Sequence, residues 1–320
     1  MTTEGPPPHA PNGPRRIAFM NQKGGVGKTT TTVNLAAGAA ARGLRTLVVD
    51  LDPQAHASLH LGVDPAGRMD DASVYDVLLD PGDHDHAPIR EAIVPVGDHL
   101  FCLPSETDLA AAEFELGDQP DRHTRLRTAL GHVAGRFDAV FIDCPPSLGL
   151  LTLNGLAAAG EVIVPMQAHF LALQGVGKLL ETIRLLTAGQ RAINPGLTVT
   201  GVVLCMHDAQ SAHTREVVED LESFFAEAAE MPGLPWSNAR VLRPAVRRNI
   251  KLAECPSFGQ TIFQYAPDAN GAADYAALAE ALFTPGDAAA GPVRGDDDSE
   301  RTPEIRVIAS SPAAEPAGNE

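Results

Sequence analysis

The sequence is poor in cysteine and aromatic residues and lacks long apolar runs. Its 320 residues include only four cysteines, one tryptophan and three tyrosines. Cys102, Cys144, Cys205 and Cys255 form no C-x-x-C pair, which argues against a disulfide framework or a metal site and favours buried free thiols. No window approaches the roughly 18 apolar residues of a transmembrane helix. The proline-rich N-terminus lacks the apolar core of a secretory signal, so we expect a cytoplasmic protein.

Large apolar residues are also scarce at both ends of the chain. Residues 1–14 and 285–320 are rich in Pro, Gly, Ala and Asp, a composition typical of disordered tails. Residues 15–284 carry most of the apolar positions in a chain that is 44% hydrophobic overall, enough for one large core. The sequence therefore predicts a single domain between two tails.

Charge is unevenly distributed along the chain. A net charge of −17 argues against a nucleic-acid partner only if that charge is spread evenly. The C-terminal tail holds eight acidic and three basic residues, whereas the stretch SNARVLRPAVRRNIKLAE carries five basic residues and no acid before Glu254. A local basic face on an acidic protein is therefore expected.

Strand-like and helix-like segments alternate along the domain. The strand-like runs are short, apolar and β-branched, as in strands buried on both faces. Strands are predicted at 15–21, 44–52, 137–146, 161–167 and 197–206, and helices at 30–43, 106–116, 122–136, 149–159, 170–190, 211–229 and 272–283. Such alternation implies right-handed crossovers. We predict an α/β fold with a doubly wound, mainly parallel sheet and helices on both faces.

The first strand runs into the glycine-rich stretch NQKGGVGKTT at residues 21–30. Its glycines let successive N–H groups turn toward phosphate oxygens, and the following helix adds its positive N-terminal end. Lys28 is expected to reach the β- and γ-phosphates, and the Thr29 hydroxyl to hold Mg²⁺. Unlike the usual G-x-x-x-x-G-K-[ST] loop, this one has Gln22 in place of glycine, followed by a second lysine, Lys23. The predicted nucleotide contacts are Gly24, Gly25, Val26, Gly27, Lys28, Thr29 and Thr30.

Two further strands end in carboxylates. FIDCPP places Asp143 where Mg²⁺-assisted phosphoryl transfer needs a metal-binding carboxylate. VVDLDPQ places Asp50 and Asp52 on the same side of an extended chain. We predict that Asp52 orients the attacking water and that Asp50 lies near the metal; alternatively, one of them, Asp50 above all, caps the following helix. Since ligands bind beyond the carboxyl ends of parallel strands, the three polar ends predict one nucleotide site.

These motifs resemble those of the ParA/MinD family of deviant Walker A ATPases. KGGVGKTT is similar to that family's phosphate loop, and LVVDLDPQ and FIDCPPSLGLLTLNGL to its two other nucleotide-site motifs. The resemblance covers about residues 15–283 and is strongest to ParA-type (Soj-like) chromosome and plasmid partition ATPases. It implies a P-loop fold, ATP and Mg²⁺ as cofactors, and slow ATP hydrolysis. It also makes Lys23 the signature lysine, which reaches across an ATP-sandwich homodimer and acts like an arginine finger.

The resemblance also implies partners for the chain. Partition ATPases bind double-stranded DNA nonspecifically and are stimulated by a ParB-like protein, so we expect association with the nucleoid. The segment RRNIKLAECPSFG resembles the family's adenine-side region; Asn249 matches the pattern, whereas Arg247 replaces a proline. The candidate phosphate-backbone contacts are Arg240, Arg243, Arg248 and Lys251, with Arg215 and Arg184 behind them. Alternatively, these residues form a solvated basic face paired with acids on neighbouring helices.

Other branches of the family fit the sequence less well. MinD-like members bind membranes through a C-terminal amphipathic helix, whereas the acidic C-terminal tail here would be repelled by anionic lipid, so no membrane partner is expected. Iron–sulfur relatives need paired cysteines, and tyrosine-kinase relatives carry a tyrosine-rich tail. Two alternatives remain open: a ParA-like ATPase that positions a protein cargo, such as a chemoreceptor array or a secretion machine, and a DNA-free regulatory switch.

Overall fold

The computed structural model describes residues 13–68, 71–83, 85–189 and 192–283. The two sequence-predicted tails, 1–14 and 285–320, lie outside these residues except for Gly13 and Pro14. Within the described ranges, no helix combines the length and the apolar character needed to cross a bilayer.

Eight strands of the described residues form one sheet in the order β3-β4-β2-β5-β1-β6-β7-β8. All neighbouring strands are parallel except β3 and β4, which are antiparallel at one edge. The strands are β1 Arg15–Phe19, β2 Thr46–Asp50, β3 Val94–Gly97, β4 Leu100–Leu103, β5 Ala139–Asp143, β6 Glu161–Met166, β7 Thr198–Leu204 and β8 Arg240–Leu242. The mainly parallel sheet predicted from the sequence is therefore confirmed.

Helices cover both faces of this sheet. They are α1 Lys28–Ala41, α2 His56–His60, α3 Val74–Leu79, α4 Ile89–Ala92, α5 Leu109–Glu115, α6 Arg125–Gly131, α7 Leu150–Ala158, α8 Phe170–Thr187, α9 Ala212–Ala229, α10 Ile250–Glu254, α11 Ile262–Tyr265 and α12 Asn270–Phe283. One core lies under α1, α2 and α10–α12, and the other under α3–α9. The α/β fold with a doubly wound sheet is confirmed.

The central strands supply both cores because their side chains alternate between the faces. In β1, Ile17 and Phe19 belong to the core under α1 and α12, whereas Ala18 belongs to the opposite core. In β5, Phe141 likewise belongs to the core under α1 and α12, and Ile142 belongs to the opposite core. After the two partly exposed arginines that begin β1, both strands are buried and apolar until the chain becomes polar at their carboxyl ends.

The register of the central strands brings the predicted site together. Asp50 at the end of β2 is the Cα partner of Asp143 at the end of β5. Asp143 is in turn the partner of Phe19, the last residue of β1. Three neighbouring strands therefore end at the same level, and the phosphate loop leaves β1 at that edge. The crevice beyond the carboxyl ends of such strands is where ligands bind in doubly wound folds.

Several short elements were not predicted from the sequence. The strand β3 has the sequence VPVG, in which proline and glycine hide a strand pattern, and it lies at the sheet edge where proline is tolerated. The strand β8 consists of only three residues within the basic segment. The four cysteines are buried free thiols, as predicted.

Candidate functional site

The phosphate loop owes its shape to glycines in left-handed conformations. Gly25 has φ 73° and Gly27 has φ 92°, values that residues with a Cβ rarely adopt. A Cβ at Gly27 would also lie 3.2 Å from the Cys205 sulfur, at the end of β7. Directly after Gly27, α1 begins at Lys28 and has no acidic residue in its first turn. The loop therefore presents the positive N-terminal end of α1 at the edge of the sheet.

Lys28 and Lys23 lie in different environments. Lys28 is only 8% exposed, and among the described residues its ammonium makes no hydrogen bond. A nearly buried cation that makes no hydrogen bond among the described residues, and has only the nearby Asp143 charge to offset it, fits an anionic ligand such as a nucleotide phosphate. Lys23, in contrast, is exposed at the surface of the loop. The two lysines of this loop are therefore placed for different tasks.

Asp143 lies against the start of α1, where a metal-binding carboxylate was predicted. Its Oδ2 accepts a hydrogen bond from the Thr29 hydroxyl at 2.7 Å, and its Oδ1 accepts one from the Thr32 hydroxyl at 2.9 Å. A hydroxyl beside a carboxylate is a donor set that suits Mg²⁺, which prefers oxygen ligands. Thr32 was missed, although its spacing of three residues from Thr29 puts both hydroxyls on one helix face. The metal role of Thr29 and Asp143 stays a prediction.

Asp50 is fully buried and anchors the segment that follows β2. Its Oδ2 accepts hydrogen bonds from the Ser58 amide and the Ser58 hydroxyl, both at 2.8 Å, and its Oδ1 accepts one from the Asp52 amide at 3.1 Å. Ser58 lies within α2, so Asp50 supports the start of that helix, although Ala55 is its N-cap. This geometry favours the helix-capping alternative, and the predicted metal role of Asp50 is untested.

Asp52 lies two residues beyond Asp50, the end of β2, and is partly exposed. Its Oδ1 accepts a hydrogen bond from the Gln54 amide at 3.0 Å, so the side chain is held by a short local turn. The carbonyl of Asp52 accepts a hydrogen bond from the Ser105 hydroxyl at 2.7 Å, which fixes the backbone. A fixed backbone with a partly exposed carboxylate suits a residue that orients water, and that role stays a prediction.

Burial disfavours the ionised forms of the two innermost carboxyl groups. Desolvation, followed by the neighbouring charge of Asp143, raises the pKa of Asp50 to about 7, although the bonds from Ser58 oppose this shift. Desolvation also raises the pKa of Asp143 to about 6, against the opposing effects of Thr29, Thr32 and Lys28. A divalent cation would relieve this cost, because it favours the charged carboxylates.

These shifts predict how the stability of the nucleotide-free protein depends on pH. Each carboxyl group has a folded-state pKa above its ordinary value near 3.8, so the folded state binds more protons between those values. The stability that these two groups contribute should therefore fall as pH rises from about 4 to about 7, whereas burial of His60, which lowers its pKa to about 4, acts in the opposite direction. The variant Asp143→Asn keeps a side-chain acceptor for Thr29 but loses the charge, so its thermal midpoint should rise relative to that of the wild type over this range.

The measurement is thermal unfolding of the wild type and of Asp143→Asn between pH 4 and pH 8, without nucleotide or Mg²⁺. A difference of about 1 kcal/mol moves the midpoint of a large domain by about 2–4 °C. Asp98→Asn, at an exposed position, is the matched control and should follow the wild type. An identical pH dependence in all three proteins would contradict the prediction.

Lys23 is anchored at both its backbone and its side chain. Its amide donates to Asn21 Oδ1 at 3.0 Å, and its ammonium lies 2.6 Å from His169 Nε2, in the connection between β6 and α8. Asn21 donates in turn to the Pro165 carbonyl at 2.8 Å. Sequence reasoning missed His169, because it is 146 residues from Lys23 and belongs to no recognised motif.

The adenine-side candidates have structural partners of their own. Asn249 is the N-cap of α10, and its side-chain oxygen accepts from the Lys251 amide at 2.9 Å. Arg247 donates to the buried Asp274 of α12 through its backbone amide at 3.0 Å and its guanidinium at 2.6 Å. The arginine that replaces a proline therefore ties this segment to α12. Nucleotide contacts of Arg247 and Asn249 stay predictions.

Three of the basic residues proposed for DNA contact lie in and around two neighbouring elements, whereas Arg248 and Lys251 lie just before and within α10, and Arg184 lies in α8. Arg240 begins β8, Arg243 follows it, and α9, which carries Arg215, packs against β8. Arg243 donates to Glu222 of the neighbouring helix α9 at 2.7 Å, as the alternative interpretation expected, and Lys251 donates to Glu254 of its own helix at 2.8 Å. The exposed members of the set are Arg215, Arg240, Arg243, Arg248 and Lys251, whereas Arg184 is partly exposed.

Comparisons with known proteins agree with this site. A family described as an AAA domain matches residues 14–199. The chromosome partitioning protein ParA of Myxococcus xanthus is 41% identical over 272 residues, which cover 84% of this chain and 88% of that protein. The sporulation initiation inhibitor protein Soj of Bacillus subtilis is 40% identical, with coverage of 84% and 98%.

A solved structure gives the same result for the fold. The crystal structure of cobyrinic acid a,c-diamide synthase from Mycobacterium smegmatis, with bound ATP analogue and magnesium, is 38% identical and has a TM-score of 0.68. The match covers 84% of this chain and 94% of that one. With its deviant phosphate loop and its strand-end carboxylates, the chain belongs to the ParA/MinD family of ATPases, in the Soj-like ParA branch.

Proposed function

We propose that this protein is a Mg²⁺-dependent ATPase that acts as a dimerising switch in chromosome or plasmid segregation. ATP binding promotes a homodimer that binds DNA nonspecifically, and a ParB-like partner stimulates hydrolysis and resets the switch. The protein would act in the cytoplasm, on the nucleoid. The observation that carries this proposal is the convergence of Lys28, the Thr29–Asp143 pair and Asp52 at one edge of the sheet.

The residues of this edge divide the work of phosphoryl transfer. The loop amides and Lys28 would bind the phosphates, and Thr29 and Asp143 would hold Mg²⁺. When bound, Mg²⁺ neutralises charge on the phosphate oxygens. Asp52 orients the attacking water, while Ser58 and Ser105 keep the surrounding backbone in place. The chain thus supplies mainly positioning and electrostatic stabilisation, which are the main contributions of proteins to this reaction.

The exposure of Lys23 supports the homodimer. Lys28 is nearly buried beside its own loop, whereas Lys23 lies at the surface of the same loop. A surface lysine next to a phosphate site can reach the nucleotide of a second copy, where it would neutralise charge that develops during transfer. This arrangement couples hydrolysis to self-association, as a switch requires.

The exposed basic residues support the DNA partner. Arg240 and Arg248 are exposed and lie in a segment that has no acid before Glu254, so the net charge of −17 does not describe this segment. Contacts from arginine and lysine to the phosphate backbone are independent of sequence and weaken with salt. The double variant Arg240→Ala/Arg248→Ala should therefore lower the DNA affinity of the ATP-bound protein about tenfold or more and reduce the salt dependence of binding.

The test is DNA binding by fluorescence anisotropy at several salt concentrations, with and without ATP. Arg42→Ala/Arg90→Ala, at two exposed positions outside the basic segment, changes the net charge equally and should bind like the wild type. If the wild-type protein bound no DNA at low salt with ATP, DNA binding would be wrong. The alternatives would then be a DNA-free switch or an ATPase that positions a protein cargo, and an adjacent motility or secretion gene cluster would favour the latter.

A further inference from the structure

The end of β6 and its connection to α8 hold the phosphate loop at three alternate residues. Asn21 donates to the Pro165 carbonyl at 2.8 Å, and the Gly25 carbonyl accepts from Gln167 Nε2 at 3.2 Å. Between these two contacts, the Lys23 ammonium lies 2.6 Å from His169 Nε2. Although Lys23 is exposed, its side chain is therefore not free, because its ammonium contacts His169 of its own subunit.

The contact requires a neutral imidazole. An ammonium group can only donate, so His169 Nε2 accepts and the ring proton lies on Nδ1. Desolvation, the charge of Lys23 and the charge of His213 on α9 lower the pKa of His169 below its ordinary value. His213 itself lies 4.0 Å from Glu216. At neutral pH the ring is thus uncharged and accepts the bond, whereas a protonated ring could not accept it and would repel Lys23.

This contact competes with a role for Lys23 at another subunit. The Lys23 ammonium carries three N–H donors but can occupy only one position at a time. A move toward the nucleotide of a second copy would therefore break the bond to His169. On the basis of the proposed function, we propose that His169 is a positioning residue that holds Lys23 against its own subunit and restrains ATP-dependent dimerisation until the bond breaks. His169 thereby controls how readily the ATP-bound protein dimerises.

The first test measures dimerisation with a non-hydrolysable ATP analogue by sedimentation equilibrium. His169→Ala removes the restraint and should tighten the dimer. A net hydrogen bond changes an equilibrium by about threefold to tenfold, and each dimer breaks two, so we expect about tenfold tightening or more. His169→Gln keeps an acceptor and should stay within about threefold of the wild type. Analogue binding to the monomer should be the same in all three proteins.

The pH profile separates this role from a merely structural one. As pH falls through the pKa of His169, the wild-type ring becomes charged and releases Lys23, so its dimer should tighten relative to that of His169→Gln. The ratio of the wild-type and His169→Gln dimerisation constants cancels the pH-dependent effects of the nucleotide and of the other histidines, which both proteins share. In a direct measurement by NMR, Lys23→Ala should raise the pKa of His169 toward its ordinary value, because it removes a neighbouring positive charge.

The outcomes distinguish this inference from the proposed function. If the wild type dimerises with the analogue but His169→Ala dimerises equally or more weakly, the proposed restraint by His169 is wrong, whereas the proposed ATP-dependent dimerisation stands. If neither protein dimerises, both the switch and the restraint are wrong. An unchanged His169 pKa in Lys23→Ala would also overturn the inference, since the two groups would then not be in contact in solution.

Discussion

The variant Lys23→Ala is expected to bind ATP normally and to lose both ATP-dependent dimerisation and stimulated hydrolysis. Binding should persist because Lys28, not Lys23, lies nearly buried at the start of α1. Dimerisation and hydrolysis should fail because Lys23, once its bond to His169 breaks, is the exposed cation that reaches a second copy. A cation supplied in trans to a transferred phosphoryl group contributes about 10³–10⁵ to the rate, so stimulated turnover should fall at least about 100-fold.

Three measurements on the same samples test this expectation: ATP affinity, dimer formation with a non-hydrolysable analogue, and steady-state hydrolysis with DNA and partner protein. Lys178→Ala, at an exposed lysine of α8, is the matched control and should behave like the wild type. Lys28→Ala should instead lose ATP binding itself. Normal dimerisation and normal turnover in Lys23→Ala would rule out action in trans.

The sequence predicted the central fold well because its strands are buried on both faces. The runs that became β1, β2, β5, β6 and β7 are short, largely apolar and rich in β-branched residues, which is typical of strands buried on both faces. The two strands at the sheet edges, β3 and β8, were not predicted from the sequence. They have four and three residues, and too few of their side chains are buried to leave an alternating pattern.

The candidate site was predictable only where a motif covers it. Lys28, Thr29 and Asp143 stand at motif positions, and the strand register brings them together. Ser58 and His169 have no such signal. Ser58 bonds to Asp50 across the local turn into α2, which no motif marks, whereas His169 is 146 residues from its partner Lys23. A sequence pattern records what each segment prefers locally, whereas the Lys23–His169 contact depends on where the topology places another segment.

The second large effect is expected for Asp52→Ala, which should bind ATP and dimerise but hydrolyse ATP at least about 100-fold more slowly, as general-base and water-positioning residues contribute about 10²–10⁴. The side chain of Asp52 bonds only to the nearby Gln54 amide among the described residues, so its loss should disturb little else. Asp50→Ala is a poorer test, since it would remove the buried anchor of Ser58 and destabilise α2.

The matched control for Asp52→Ala is Asp64→Ala, because Asp64 makes the same kind of turn with the Ala66 amide at 3.0 Å, away from the site. Asp52→Asn keeps the turn but removes the charge, and should be as slow as Asp52→Ala if the carboxylate acts on water. The decisive comparison is with Lys23→Ala, since both variants stop turnover but only Asp52→Ala should accumulate a long-lived, DNA-bound dimer. If Asp52→Ala stayed monomeric with ATP, Asp52 would have a role in assembling the dimer and not in the hydrolytic step.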